Sequence, residues 1–188
     1  GEISMFYDPM IAKLCTHAPT RIAAIDAMAS ALDEFRVEGI NHNIDFLTAI
    51  MHNQRFREGR LTTGFIAEEF PDGFHGAPLD KAAKRRLAAA VVAAELARES
   101  RASAISGTLN GAQKIQGGEF IVTLNGETLI EGAQLEGGKL HARIEGEPYE
   151  TEFKWKLGQP VMHLRDANGS FAVQIARQQG SYRLNHGG

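Results

Sequence analysis

Between residues 79 and 106 there is not one glycine, and the single cysteine, Cys15, has no second thiol in the chain with which to close a disulfide. The first absence reserves a long stretch for one uninterrupted regular element. The second excludes an internal disulfide framework and suits a reducing compartment. An excess of charge of one sign is also missing: 20 Lys and Arg against 23 Asp and Glu leave a net charge of -3, with the basic residues scattered. No basic stripe follows a phosphate backbone and no aromatics alternate with cations, so nucleic acid is not an expected partner. Nor does any apolar run approach the roughly 20 residues that span a bilayer, and no secretory or lipidation signal is read, so no membrane partner is expected either. At 188 residues, one or two domains are expected.

What the glycine-free stretch contains is "LAAAVVAAEL", residues 87–96, apolar on every side of a helix until Glu95. A surface helix shows one apolar stripe; a helix apolar all round has to be enclosed. The expected helix runs over 79–100, with Asp80 at the positive end of its dipole. Glycine then divides the chain into three regimes, with six glycines in residues 1–78 and 14 from 107 onward.

Before the helix, 3–6 reads as a short strand. A first helix follows Thr20 as cap, with Ile22, Ile25, Ala29 and Leu32 on one face, and Gly39 ends or turns it. A second, 44–51, has Asn43 as its expected cap and Ile44, Leu47, Ile50 and Met51 as its apolar side. "FPDGFHGAP", 70–78, reads as a linker. After the helix everything reads as strand. "KLHARIE" sets Leu140, Ala142 and Ile144 against Lys139, His141, Arg143 and Glu145; "YETEFKWKL" sets Tyr149, Thr151, Phe153, Trp155 and Leu157 against Glu150, Glu152, Lys154 and Lys156. "FIVTL" and "FAVQIAR" alternate less cleanly. Turn signals at Gly117-Gly118, Asn125-Gly126, Gly137-Gly138, Gly146, Gly158, Asn168-Gly169 and Gly180 predict seven or eight antiparallel strands. A sheet with Leu140, Ile144, Phe153, Trp155, Phe171 and Ile175 on its inner face needs an apolar object to cover, and the helix needs apolar cover. Curling one around the other satisfies both, with alanine keeping the axis slim. So filled, the barrel has little room for a ligand.

No catalytic, cofactor-binding or metal-ligating residue is predicted. Cys15 and His17 stand two apart without an orienting third group, and Cys15 reads as inert and partly buried. His42, His52, His75, His141, His163 and His186 lack metal-ligand spacing, with His141 and His163 on the solvated face of their strands. Asp8 reads as a structural cap, "EGGKL" as a hairpin turn rather than a phosphate loop, and Glu68-Glu69 as a solvated helix end.

In order along the chain, "YDPMIAKL", the 28–32 segment, "EGINHNIDFL" and "TTGFI" resemble the C-terminal end of a biotin carboxylase domain. His42 departs from that pattern, where a threonine is usual before the asparagine. "FIAEEFPDGFHG" resembles the link in alpha subunits of propionyl-CoA carboxylases, where a helix encircled by an antiparallel barrel follows and holds the carboxyltransferase, or beta, subunit. The implied fold class is α+β: a short α/β end of a biotin carboxylase C-terminal subdomain (1–70), a linker (71–78) and a helix-filled barrel of seven or eight strands (79–188). The parent enzyme implied is a ligase that uses biotin, ATP, magnesium and bicarbonate and passes the carboxyl group to propionyl-CoA. Its nucleotide loop and its lysine-bearing carrier domain are not in these residues, so the chain is expected to be part of a longer polypeptide, inactive alone and binding none of those cofactors. In that family "TTGFI" would lie near the adenine edge of the nucleotide site, and neither Thr62 nor Thr63 is counted as a cofactor-binding residue.

The expected role is a scaffold joining alpha and beta subunits. Its partners are the beta subunit and the parent's own carboxylase and carrier domains, in the cytoplasm in preference to the mitochondrial matrix. The expected partner-contact residues are Arg101, Ser103 and Ile105, at the start of "RASAISGTLNGAQ", which reads equally well as the first barrel strand. Two alternatives stand beside this: the same segment of a methylcrotonyl-CoA carboxylase, which shares the architecture, and a non-enzymatic barrel carrying a small ligand.

Overall fold

The computed structural model describes residues 6, 10–103, 105 and 117–187, with the backbone alone at 127–131. Residues 3–5 of the expected strand 3–6, Asp8 and most of "RASAISGTLNGAQ" lie outside the described residues, and Phe6 is in a turn.

From residue 10 to 70 the described chain is helical: α1 (Arg21–Glu34), α2 (Ile44–His52), α3 (Gln54–Arg57) and α4 (Phe65–Glu69). Thr20 caps α1 as expected, its hydroxyl accepting from the Ala23 N–H at 3.2 Å. Ile25, Ala29 and Leu32 are buried, whereas Ile22, one turn earlier, is 44% exposed. The buried face carries Asp33 in its place. Asn43 precedes α2 without a side-chain cap; instead the His42 Nδ1 faces the Ile44 N–H at 3.4 Å. Helices α3 and α4, of four and five residues, are too short to show a period in the sequence.

Helix α5 (Lys81–Ser103) starts two residues later than expected and runs three further. Asp80 caps it directly, accepting from the Ala83 N–H at 2.7 Å. Ala88, Ala89, Ala90, Val92, Ala93, Ala94 and Leu96 are fully buried. Around them curls a sheet of seven strands in chain order, β1 (Gly117–Leu124), β2 (Glu127–Glu136), β3 (Lys139–Ile144), β4 (Glu147–Lys154), β5 (Val161–Asp166), β6 (Gly169–Gln178) and β7 (Ser181–Asn185), each antiparallel to the next. The sheet is a curled half-barrel, since its end strands do not pair with each other among the described residues. On the helix, Val91, Glu95 and Arg98, spaced on one face, are only half-buried. Glu95 is held there by the Tyr182 hydroxyl at 2.7 Å and by Arg98 at 2.6 Å.

The turns explain the strand count. Three two-residue hairpins, Asn125-Gly126, Gly137-Gly138 and Glu145-Gly146, have positive φ at both positions, the type I′ geometry that matches strand twist. Gly117-Gly118, by contrast, is no turn: both residues lie in β1. Removing that turn leaves six, and so seven strands. Gly117 is there for closeness, because a Cβ would come within 2.5 Å of the Ala133 carbonyl oxygen, whereas one at Gly118 would touch only the Phe120 ring at 3.8 Å. Gly117→Ala is therefore expected to cost about 1–3 kcal/mol of stability, and Gly118→Ala much less, in paired thermal denaturation.

Alternation holds where the sheet has one wet face. Leu140 and Ile144 are fully buried and Thr151 nearly so, while Glu150, Glu152 and Lys154 are exposed. It was carried too far at the end of β4, which stops at Lys154. Leu157 is 47% exposed, whereas Trp155 still packs against the core as expected while its indole N–H donates to the Gln159 carbonyl at 2.8 Å in the loop. The untidy pattern of β6 has another cause. Phe171, Val173 and Ile175 pack with the barrel core, while Ala172 on the opposite face is 5% exposed because α1 lies across it.

Candidate functional site

Two features set what the described surface can do: the end of α5 that leaves the sheet, and the joint between α1 and the barrel.

After Leu96 the helix emerges. Residues 97–100 are half-buried, Arg101 and Ala102 exposed, Ser103 half-buried and Ile105 61% exposed. The cationic Arg101 suits the negative end of the helix dipole. The Ser103 hydroxyl donates to the Ser100 carbonyl at 2.9 Å, closing the last turn, and the Ile105 N–H donates to the Ala102 carbonyl at 3.3 Å. The three expected contact residues thus lie at and just beyond the C-terminal end of α5, with the exposed Ile105 past its last residue.

The joint was not foreseen. Asp33, 8% exposed, accepts from the His186 Nδ1 and the Gly187 N–H, both at 3.0 Å, and its carbonyl accepts from the Gln174 amide, also at 3.0 Å. Asn185 donates to Asp45 of α2 at 2.8 Å. His52 lies nearby with its pKa held below the usual histidine value, chiefly by burial, with Asp33 opposing the shift. A carboxylate on the apolar face of α1 was the available signal, but its partners lie more than 150 residues on.

On the barrel, Asp166 joins α5 to the strands. It accepts from the Arg86 Nε at 3.1 Å and the Tyr149 hydroxyl at 3.0 Å, while Arg86 stacks over the Phe171 ring at 4.5 Å from its centre. Burial opposes ionisation of Asp166, yet the bonds from Arg86, the Asn168 N–H and Tyr149 hold its pKa below the usual range. Tyr149 is pushed above its ordinary pKa by burial and by Asp166.

The remaining candidates are dispersed. Cys15 is exposed, not partly buried, and no hydrogen bond joins it to the exposed His17. His141 and His163 are exposed, each within 3.7 Å of a glutamate. Glu68 and Glu69 are not a bare solvated end: both pair with Arg55, Glu69 also accepts from Asn53 at 2.7 Å, and Glu68 from the Thr62 hydroxyl at 3.1 Å. Thr62 and Thr63 are exposed. Among the described residues no cluster could hold a metal ion, and no helix is long and apolar enough to cross a membrane.

The model of the propionyl-coenzyme A carboxylase BT domain matches residues 87–188, more than half of the chain and the whole of the curled sheet. The chain belongs to this family. Ahead of the BT domain, the model of the biotin carboxylase C-terminal domain matches residues 1–68. The chain is 41% identical over 185 residues to the propionyl-CoA carboxylase alpha chain of Ruegeria pomeroyi, covering 98% of this chain and 27% of that relative. It is 30% identical over 184 residues to the mitochondrial propionyl-CoA carboxylase alpha chain of Homo sapiens, covering 96% and 25%. A pyruvate carboxylase of Staphylococcus aureus is 43% identical over 85 residues, 45% of this chain and 7% of that protein. The chain spans about a quarter of the length of these two propionyl-CoA carboxylase relatives.

Proposed function

We propose that this chain is the scaffold segment of a biotin-carboxylating alpha subunit, and that it couples carboxylase to carboxyltransferase in a propionyl-CoA carboxylase. Residues 1–70 are the end of the carboxylase domain, 71–78 the linker and 79–188 the subunit-binding barrel. Biotin, ATP and magnesium serve the parent enzyme and are not held by these residues. The parent works in the cytoplasm or the mitochondrial matrix.

The observation that carries this reading is the filled barrel. Seven side chains of α5 are fully buried along its axis, so the space a ligand-carrying barrel would need is occupied by protein. Binding is left to the outer surface, and Arg101, Ser103 and Ile105 lie where the C-terminal end of α5 leaves the sheet, with Arg101 and Ile105 exposed. An exposed aliphatic residue beside a cation and a hydroxyl fits the centre of a protein interface better than a solvated helix end.

The test is binding of this chain to carboxyltransferase subunits of different acyl-CoA carboxylases. Tight association with the propionyl-CoA type is expected, and Ile105→Glu should weaken it by roughly tenfold or more, the loss of an interface anchor. Preference for the methylcrotonyl-CoA type would reassign the substrate. Unchanged binding by the variant would move the contact away from the α5 tip.

A further inference from the structure

The joint between α1 and the barrel is built from a kind of bond that cohesion alone does not require. Ala172 of β6 already packs against the helical part, and apolar packing by itself holds two surfaces together while tolerating small rotations. A carboxylate buried among them is costly to desolvate, and its replacement by apolar groups often stabilises a protein. What it adds is direction. Asp33 receives two consecutive donors, His186 and Gly187, and with Asp45 it spans both helices; the donors come from β6, from β7 and from the residues that follow β7. The Phe171 ring packs against His186, with centroids 5.4 Å apart, and fixes the imidazole from the barrel side. Four hydrogen bonds at 2.8 to 3.0 Å, aimed from different directions, define one orientation of barrel on carboxylase end.

We infer that Asp33 is a positioning residue that sets the orientation of the barrel against α1, and with it the direction in which the α5 tip presents the beta subunit for transfer of the carboxyl group. This rests on the function proposed above. Asp33 touches no substrate in this scheme. It acts through the rigid path from α1 through β6 to α5, and loosening it lowers the effective concentration of one active centre at the other without touching either chemistry.

The experiment uses the full-length alpha chain with its beta subunit. Three quantities are compared: bicarbonate-dependent ATP hydrolysis with free biotin, overall carboxylation of propionyl-CoA, and affinity between subunits. Asp33→Ala and His186→Ala are expected to leave the ATP reaction and the affinity within about twofold, while overall carboxylation falls roughly three- to tenfold. His186→Gln, which restores a donor for Asp33, should recover most of the loss. An overall rate unchanged in both alanine variants overturns the inference; so does a Gln variant no better than Ala, or an equal fall in both reactions. Should Asp33→Ala fail to fold, the His186 pair decides alone. Wild-type subunits that do not associate overturn the functional reading itself and the inference with it.

Discussion

Val92→Lys is expected to lower the melting temperature by about 6–20 °C or to prevent folding. Val92 has no solvent exposure and lies in the core between α5 and the sheet curled around it. A lysine there would have to place its ammonium among the apolar side chains of the core. An uncompensated buried charge costs on the order of 3–5 kcal/mol, and in a chain of this size each kcal/mol is worth roughly 2–4 °C. Val92→Ala is the control: it removes two methyl groups, leaves a small cavity and should cost about 1–2 kcal/mol. Ala89→Arg adds overpacking to the same charge penalty and should be at least as damaging. Melting of the lysine and arginine variants at the wild-type temperature would show that α5 is not enclosed.

The second large effect is expected at Asp166, whose side chain is 3% exposed. Asp166→Ala strands the Arg86 guanidinium, 22% exposed, and the half-buried Tyr149 hydroxyl, at a cost of about 3 kcal/mol. Its pH dependence has a definite sign. A carboxylate with a depressed folded pKa contributes stability that is present above its unfolded value, near 3.8, and lost as pH falls through its folded value. Glu95 behaves in the same way: burial raises its pKa, but the bonds from Tyr182 and Arg98 outweigh it and leave the group below 4.5. At the alkaline end, burial and Glu95 push Tyr182 up to about 12. Its contribution is complete below pH 10 and lost as pH rises from there through about 12. Denaturant titrations across pH should show wild type losing stability at both ends. Asp166→Ala should be less stable near neutrality, with a shallower acid limb. An unaltered acid limb would remove Asp166 from the account.

How much of this was legible in the sequence depended on how many faces a segment turns to water. Strands β3 and β4 have one wet and one dry face, so Leu140, Ala142 and Ile144 could be placed correctly from period alone. Strand β6 has two dry faces, and its reading blurred because the second is covered by α1, far away in sequence. The hairpins at Asn125-Gly126 and Gly137-Gly138 were legible because their geometry demands residues that accept positive φ. The same residue type misled at Gly117-Gly118, where the demand is for closeness to Ala133 instead. The enclosed helix was the clearest signal, since no alternative explains a run from Leu87 to Ala94 without a polar group. Asp33 was the least visible: the residue that most defines the joint looks like one more charge on a helix until His186 arrives beside it. Arg55 played the same part for Glu68 and Glu69.

Strand β6 also bears on how such a chain could be rearranged. It is a party wall, with Phe171, Val173 and Ile175 facing one tenant and Ala172 and Gln174 the other. A recombination event that grafted this sheet onto a foreign enzyme would strip the second side bare, unless a stretch equivalent to α1 travelled with it. The two parts are joined through the shared face of β6 as well as through the linker.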